Sequence, residues 1–203
     1  MTDTTSYPAK SGPRAEAQRE RILCAALKCF IERGFHAASM ANIADEAQMS
    51  AGLMYRYFEN KNAIVLAIVE RQLEEKCEAI RRLHSSENIA SRLVQVFENW
   101  RSRCPDTMSV ALLLEMSAEA TRSPQIAEAL PVADARMRAE LQAWLGRSRS
   151  EGGMGLPADA AASRALLLEC LVDGLALRAA REPQLDSRQL QSALDELFAC
   201  LLP

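Results

Sequence analysis

The chain has 203 residues, of which 49% are hydrophobic, 25% are charged and 5% are aromatic, and its formal net charge is −3. This composition is typical of a globular protein and excludes an intrinsically disordered chain. No apolar run approaches the roughly 20 residues that a membrane-spanning helix needs. The first 13 residues are polar and do not resemble a secretory signal, so we expect a cytoplasmic protein that does not contact a membrane.

Glycine and proline are scarce, with eight of each, whereas Ala, Leu, Glu and Arg are abundant. This composition favours an all-α protein over a β-sandwich or a barrel. The six cysteines are scattered without a CxxC pair, and neither histidine, His36 or His84, lies near a cysteine pair. We therefore expect reduced, buried thiols, no metal site and no cofactor.

The N-terminal part of the chain predicts a set of closely spaced helices. Residues 1–13 show no periodicity and predict a flexible arm, whereas apolar residues at helical spacing predict a helix over 14–33. Ser39 and Ser50 each precede a short helix that they can cap, and Asn60 can cap a long fourth helix. Two short helices joined by about three residues behind a longer one are typical of a helix-turn-helix, although ordinary helical hairpins also have short loops.

The remainder of the chain predicts further helices and no strands. Pro131 is expected to kink or split one of them, because proline removes a backbone donor. The segment 152–157, which contains three glycines, is expected to be the most flexible internal part of the chain. The predicted helices cover residues 88–104, 107–121, 123–150, 158–181 and 187–201.

The segment from Ser39 to Ile64 has the sequence SMANIADEAQMSAGLMYRYFENKNAI. It contains a serine cap, an Ile-Ala-x-x-Ala motif, a second serine, a small residue, a Tyr-x-x-Phe motif and a lysine. This order resembles the DNA-binding segment of the TetR family of transcriptional regulators. The residues that carry the resemblance are Ser39, Ile43, Ala44, Ala47, Ser50, Gly52, Tyr55, Phe58 and Lys61.

Gln48 departs from the family pattern, which usually has glycine at this position in the turn. A left-handed backbone there is accessible to glycine and costs other residues roughly 1 kcal/mol. We therefore expect the turn to be strained or reshaped, with the flanking helices unchanged. The departure also leaves open a protein of the same fold that no longer binds DNA.

The resemblance implies an all-α fold in which residues 14–60 form a helix-turn-helix DNA-binding domain. Residues 61–203 would form a larger ligand-binding and dimerisation domain. Leu53 and Phe58 are expected to anchor the recognition helix. Arg56 can fork onto a guanine edge, with a phosphate contact or solvent exposure as its alternatives. The expected DNA-binding residues are Ser39, Met40, Ser50, Ala51, Gly52, Met54, Tyr55, Arg56, Tyr57 and Lys61.

The middle helices are expected to bind a small-molecule effector, although packing in the core is the alternative for each residue. Their Met and Trp side chains suit a hydrophobic or amphipathic ligand, and an acidic anchor would favour a cation. Glu119 is a further candidate anchor, and the alternative for Glu115 and Glu119 is pairing with Arg122 or with a neighbouring helix. The candidate ligand-binding residues are Phe97, Trp100, Met108, Leu112, Glu115, Met116, Trp144, Cys170 and Asp173.

Leucine stripes in residues 158–181 and 187–201 are expected to exceed what the core of one monomer can cover, which predicts a two-fold dimer through a four-helix bundle. The alternative is that the stripes complete the monomer core. We expect this homodimer to bind a palindromic operator as a repressor, and the effector to tilt the fourth helix and release the DNA. An activator is the alternative. An enzyme is disfavoured, because the sequence has no Ser-His-Asp set and no glycine-rich phosphate loop.

Overall fold

The computed structural model describes residues 12–84, 87–102 and 109–202. Across these ranges the regular secondary structure is entirely helical, which confirms the expected all-α class. No helix in these ranges is long and apolar enough to cross a membrane. Most of the predicted arm, together with Cys104 and Met108, lies outside the described residues.

The helices follow one another with short connections and lie close to the predicted positions. The N-terminal part contains α1 (Pro13–Arg33), α2 (Met40–Glu46), α3 (Ala51–Met54) and α4 (Lys61–Arg81). It is followed by α5 (Ile89–Arg101), α6 (Val110–Ala120), α7 (Pro124–Gly146), α8 (Ala158–Arg181) and α9 (Ser187–Leu201). A short 3-10 turn, Arg149–Glu151, lies between α7 and α8.

Side chains cap the N-termini of α2, α3 and α4, as the sequence predicts. The Ser39 hydroxyl accepts the backbone N–H of Asn42 at 3.1 Å, and the Asn42 side chain accepts the N–H of Ser39 at 3.0 Å. This reciprocal pair is a capping box. Ser50 and Asn60 each accept the N–H three residues further on, at 3.3 and 2.9 Å. Short-range hydrogen bonds therefore determine where these three helices start.

The chain divides into two compact units, Met1–Ala67 and Ile68–Pro203, and the division falls within α4. It therefore lies later than the predicted boundary after residue 60. The physical reason is at the start of α4, where Nζ of Lys61 donates to the carbonyl oxygens of Phe35 at 2.5 Å and Ala38 at 3.0 Å. These bonds join the first turn of α4 to the loop before α2.

The core of the first unit is formed by the apolar faces of its short and long helices. α1 packs against α2, and α2 packs against α3. Helices as short as α2 and α3 are marginal in isolation, so burial of apolar side chains must hold them in place. The buried side chains include Ile22, Leu23, Ala26, Phe30, Phe35, Ile43, Ala44, Met54 and Phe58.

α8 is the central helix of the second unit, since α5, α6 and α7 all pack against it. α5 also packs against α9. We call one buried apolar cluster of this unit the C-terminal core. It consists of Ala90, Phe97, Trp144, Leu145, Met154, Ala161, Ala165, Leu168, Leu175, Ala179, Leu190, Leu194 and Phe198.

Pro131 does not split α7, so that part of the sequence-based expectation is wrong. The helix runs unbroken from Pro124 to Gly146 with Pro131 inside it. A proline removes one N–H and crowds a carbonyl of the preceding turn, but Ile126 and Ala133 on either side of it are buried. Packing of α7 along α8 therefore outweighs the loss of one backbone hydrogen bond.

The segment 152–157 is packed against the end of α7, contrary to the expectation of a flexible stretch. Its first three residues are buried. The backbone N–H groups of Gly155 and Leu156 donate to carbonyl oxygens at the end of α7, at 2.8 and 3.0 Å. Gly152 and Gly155 have φ angles of 81° and 70°, which are accessible to glycine. The glycines therefore serve a tight turn that covers the core.

The described cysteines form no disulfide bonds, but they are not all buried. Cys29 and Cys77 are buried, and burial raises the pKa of both thiols. Cys24, Cys170 and Cys200 are exposed, so the expectation of uniformly buried thiols is wrong. Each of these three lies on the outward face of an amphipathic helix, where a small apolar residue is tolerated.

A methyl group at residue 153 is expected to destabilise the second unit. Its carbon would lie 2.1 Å from the carbonyl oxygen of Arg147, a backbone atom that cannot move without breaking the turn. We expect Gly153→Ala to lower the free energy of unfolding by about 2 kcal/mol, as at other overpacked sites. Urea denaturation at one fixed protein concentration measures this change.

Gly146→Ala is the matched control for Gly153→Ala. The nearest atom to its added carbon would be the Leu156 carbonyl oxygen at 3.8 Å, an ordinary contact distance. We expect this variant to unfold within about 0.5 kcal/mol of the unmodified chain. Equal stability of the two variants would contradict the packing described for the turn.

Candidate nucleic-acid interface

α3 presents an exposed face that begins with small side chains. Ser50, Ala51 and Gly52 are exposed, and a Cβ built on Gly52 would meet no described atom within 4 Å. Tyr55, which is 53% exposed, and the exposed Arg56 follow directly after the helix. This surface allows close approach of the helix backbone to a partner, with one aromatic and one cationic side chain beside it.

Met54 faces the interior, so its predicted place at the DNA is wrong. Its side chain is fully buried, whereas Leu53, which was expected to anchor the helix, is half-buried. A helix capped at Ser50 directs its fourth residue back toward the core of the first unit. Met54 therefore joins Phe58 as an anchor. Phe58 is buried as expected, with the guanidinium of Arg19 4.4 Å from its ring centroid.

The start of α2 is held mainly by its own capping box. Ser39 is exposed and Met40 is half-buried. The Ser39 hydroxyl donates to the side-chain oxygen of Asn42 at 2.7 Å while it accepts the N–H of the same residue. Its proton is therefore already engaged, and a phosphate here would rely on backbone N–H groups of the first turn. The roles of Ser39 and Met40 at DNA stay predictions.

Several cations of the first unit are engaged inside the protein. Lys28 forms an ion pair with Glu46 at 2.7 Å. Nζ of Lys61 lies 4.2 Å from the ring centroid of Phe35, in addition to its bonds to carbonyl oxygens. The Arg56 side chain is exposed and, in the part of the chain that the structure describes, has no hydrogen-bond or ion-pair partner. Arg56 is thus available to an external partner, and the phosphate contact of Lys61 stays a prediction.

The turn between α2 and α3 is contacted by Arg21, a residue that sequence reasoning missed. Gln48 has a φ of 52° and is the one non-glycine residue with a positive φ among the described residues, as expected for this position. Arg21, on α1, donates to the carbonyl oxygens of Ala47 at 2.5 Å and Gln48 at 3.1 Å. Because this contact joins distant parts of the chain, no local spacing could have predicted it.

The predicted ligand-binding residues divide between the interior and the surface of the second unit. The buried ones are Phe97, Leu112, Met116 and Trp144. The half-buried ones are Trp100, Glu115 and Glu119, of which Glu119 lies 3.7 Å from Arg122. Cys170 and Asp173 occupy exposed positions of α8, and Met108 lies outside the described residues. The structure brings Phe97, Trp100 and Trp144 together at the C-terminal core and leaves Cys170 apart from them.

Charged side chains on α4, α7 and α8 influence one another, and sequence reasoning identified only Asp173 among them. Burial lowers the pKa of Lys76 and raises the pKa of Asp134. Burial and the nearby Asp134 carboxylate raise the pKa of Asp173. On α7, Nε of Arg138 donates to the buried Glu169 of α8 at 2.5 Å. When all these groups are ionised, the three carboxylates of Asp134, Glu169 and Asp173 outnumber the two cations of Lys76 and Arg138.

Some buried polar atoms of the second unit have no hydrogen-bond partner among the described residues. They include Nε1 of Trp144 and Oε1 of Glu169. A buried polar group without a partner costs roughly 1–3 kcal/mol, so such atoms are normally satisfied. A bound molecule with both donor and acceptor groups is one way to satisfy them.

Both parts of the chain match known families. The family described as bacterial regulatory proteins, tetR family, matches residues 22–68. The family described as BetI-type transcriptional repressor, C-terminal, matches residues 89–203, which is more than half of the chain. The chain belongs to the TetR family. In this TetR-family protein the first match ends close to the structural division within α4.

Individual relatives are transcriptional regulators as well. UidR of Escherichia coli strain K12 is 36% identical over 121 residues, which are 57% of this chain and 58% of UidR. BetI of Cronobacter sakazakii is 29% identical over 171 residues, covering 82% of this chain and 81% of BetI. Among solved structures, Salmonella enterica GusR has a TM-score of 0.71 at 28% identity, over 94% of this chain and 99% of GusR.

These matches confirm the family resemblance of the segment 39–64 and the helix-turn-helix fold of this TetR-family protein. The UidR match spans little more than half of that relative, whereas the GusR match spans nearly all of it. The relatives are regulators of transcription rather than enzymes. The individual DNA and ligand contacts stay predictions.

We expect Gly52→Ala to weaken DNA binding without weakening the fold. The added methyl group would meet no described atom within 4 Å, and alanine favours a helix over glycine by about 1 kcal/mol. At a DNA groove, however, the methyl group would separate the backbone of α3 from the bases. The expected loss of affinity is about tenfold, equivalent to about 1.4 kcal/mol.

Thermal unfolding and fluorescence anisotropy on a bound duplex measure the two effects of Gly52→Ala. Gly146→Ala makes the same chemical change at the end of α7, in the second unit, and serves as the control. It is expected to leave DNA affinity unchanged. Unchanged affinity of Gly52→Ala would show that α3 does not approach DNA closely.

Proposed function

We propose that this TetR-family protein is a ligand-responsive repressor that binds operator DNA through α3 in the cytoplasm. The observation that carries the proposal is the exposed face of α3, where small side chains lie beside Arg56, whose guanidinium has no partner among the described residues. The tetR-family match over residues 22–68 includes this face and supports the assignment. Close backbone approach and one available guanidinium are what a recognition helix needs in the major groove.

Arg56 is assigned to base recognition, because a guanidinium can donate two parallel hydrogen bonds to O6 and N7 of guanine. The other residues are assigned to positioning the protein on the sugar-phosphate backbone and the groove wall. Met54 is excluded from this set because it is buried. The positioning residues are Ser39, Met40, Ser50, Ala51, Gly52, Tyr55, Tyr57 and Lys61.

The proposed regulator acts as a homodimer through α8 and α9. Leu166 and Leu167 of α8 are 48% and 52% exposed, and Leu197 of α9 is 41% exposed. Exposed leucines on two amphipathic helices that follow one another in the chain are typical of a surface that a partner covers. A second copy would also supply the second recognition helix that a palindromic operator requires.

The proposed effector is an amphipathic molecule that binds in the second unit. Aromatic side chains at the C-terminal core suit its apolar part, and Trp144 Nε1 and Glu169 Oε1 have unused hydrogen-bonding capacity. The excess of acids over bases around Asp134 and Asp173 favours an effector with a cationic group. Because α4 contributes to both units, an effector that shifts α4 would change the separation of the two recognition helices.

The repressor mode is favoured over the activator mode by the C-terminal match, which is to BetI-type transcriptional repressors. An effector that binds the DNA-free state more tightly lowers operator affinity by the ratio of its affinities for the two states. The left-handed Gln48 turn keeps α2 and α3 in place, which argues against a protein that has lost DNA binding.

Charged substitutions in the exposed leucines are expected to separate the dimer. Leu166→Glu and Leu197→Glu change side chains that a single chain leaves partly exposed, so the folded monomer should persist. We expect the double variant to sediment as a monomer and to lose at least about tenfold in operator affinity, because one half-site contact is weak. Val132, which is 62% exposed on α7, provides the control Val132→Glu, which should remain dimeric. A double variant that sediments as a dimer would exclude this interface.

Direct DNA binding tests the proposed function. A duplex selected from a random library by the full chain is titrated by fluorescence anisotropy at several salt concentrations. We expect affinity to fall about 10³-fold or more between about 50 and 200 mM salt, because a dimer displaces counterions from several phosphates. Failure to select any duplex at low salt would contradict the proposal and favour a small-molecule-binding protein of the same fold.

The direction of regulation is measured at the natural promoter that contains the selected sequence. Deletion of the gene for this chain is expected to raise transcription from that promoter, since a repressor blocks it. A fall in transcription on deletion would indicate an activator instead.

A further inference from the structure

The turn that joins α2 to α3 ends α2 with a left-handed cap. The N–H of Gln48 donates to the carbonyl oxygen of Asp45 at 3.0 Å, and the N–H of Met49 donates to that of Ala44 at 2.9 Å. These two bonds form the Schellman pattern, which usually has glycine at its left-handed position. Here Gln48 occupies that position with a φ of 52°, which is unfavourable for a residue with a Cβ.

Arg21 contacts the same turn from α1. Its Nε and Nη2 both donate to the carbonyl oxygen of Ala47, at 3.2 and 2.5 Å, and Nη2 also donates to that of Gln48 at 3.1 Å. Carbonyl groups at a helix C-terminus lack partners within the helix and lie at the negative end of its dipole. A guanidinium placed there satisfies both the hydrogen bonds and the charge.

The turn determines where α3 begins. Ser50, two residues after Gln48, caps α3 through its bond to the N–H of Leu53. A turn that relaxed out of the left-handed conformation would change the direction in which the chain enters α3. A contact that fixes the carbonyl oxygens of Ala47 and Gln48 therefore also fixes the direction of α3.

We propose that Arg21 is a positioning residue for DNA recognition, which holds the α2–α3 turn in the conformation that Gln48 adopts and thereby sets the orientation of α3. This inference rests on the proposed DNA-binding function. Arg21 acts through the turn and not through a contact with DNA. Arg21 is necessary because glutamine at position 48 does not favour the left-handed backbone of the turn. A glycine at position 48 would adopt this backbone readily, and the turn would then depend much less on Arg21.

A double-mutant cycle tests this dependence. The unmodified chain is compared with Arg21→Met, with Gln48→Gly and with the double variant. We expect Arg21→Met to weaken operator affinity about tenfold when Gln48 is present, and less than about threefold in the Gln48→Gly background. Anisotropy titrations on the selected duplex at several salt concentrations measure both the affinity and its salt dependence.

The salt dependence separates a positioning residue from a phosphate contact. Loss of a phosphate contact lowers the salt slope by about one and weakens binding to the same extent in both backgrounds. Loss of a positioning contact leaves the slope unchanged. Equal losses in the two backgrounds, with a lower slope, would therefore overturn the proposal.

Lys28→Met is the matched control for Arg21→Met. Lys28 also joins α1 to α2, through its ion pair with Glu46 at 2.7 Å, but this contact does not involve the turn carbonyls. Exposed ion pairs contribute little, so we expect a small effect that is the same with or without Gln48→Gly. An effect of Lys28→Met that depends on residue 48 as strongly as that of Arg21→Met would count against a specific role for Arg21.

Hydrogen exchange gives a readout that does not require DNA. We expect Arg21→Met to speed exchange in the peptide covering residues 44–54 when Gln48 is present, and to change it less after Gln48→Gly. Unchanged exchange would refute the role of Arg21 even if the unmodified chain binds DNA. A chain with the expected exchange pattern that selects no duplex would refute the proposed function instead.

Discussion

The direction of α3 depends on a few backbone hydrogen bonds in the turn that precedes it. α3 has only four residues, Ala51–Met54, and a helix of this length is not stable by itself. The cap at Ser50 fixes its start, and the buried Met54 fixes its end. The turn at Gln48, with Arg21 bound to the carbonyl oxygens of Ala47 and Gln48, sets the direction in which the chain enters α3. The proposed contact with DNA is therefore a consequence of how the turn is held.

Net charge is a poor guide to the proposed DNA binding of this protein, and the structure gives the reason. Residues 1–62 contain eight Lys or Arg against seven Asp or Glu, so no large positive excess exists to attract DNA. Of these cations, Arg21, Lys28 and Lys61 are engaged in contacts within the first unit. The proposed affinity of one unit for DNA must then come from a few well-placed groups, which a second copy would double.

The second unit combines a large apolar core with polar groups that the core does not satisfy. Trp144 and Glu169 are buried and retain polar atoms without hydrogen-bond partners among the described residues. Burial also lowers the pKa of Lys76 and raises the pKa of Asp134 and Asp173, so it disfavours the ionised form of each group. Burial of charged or unpaired polar groups is in general unfavourable. The proposed effector would gain binding free energy by supplying hydrogen-bond partners to these atoms.

The sequence by itself determined the helices, the caps at Ser39, Ser50 and Asn60, the left-handed position at Gln48 and the family, because these depend on residues close together in the chain. Only the tertiary structure decided that Met54 turns inward, that the segment 152–157 packs on α7 and that Pro131 leaves α7 intact. It also decided which cations are engaged, including the contact of Arg21 with a turn far away in sequence. The physical reason is that burial and long-range hydrogen bonds depend on how helices pack, and the spacing of residues along one helix does not contain that information.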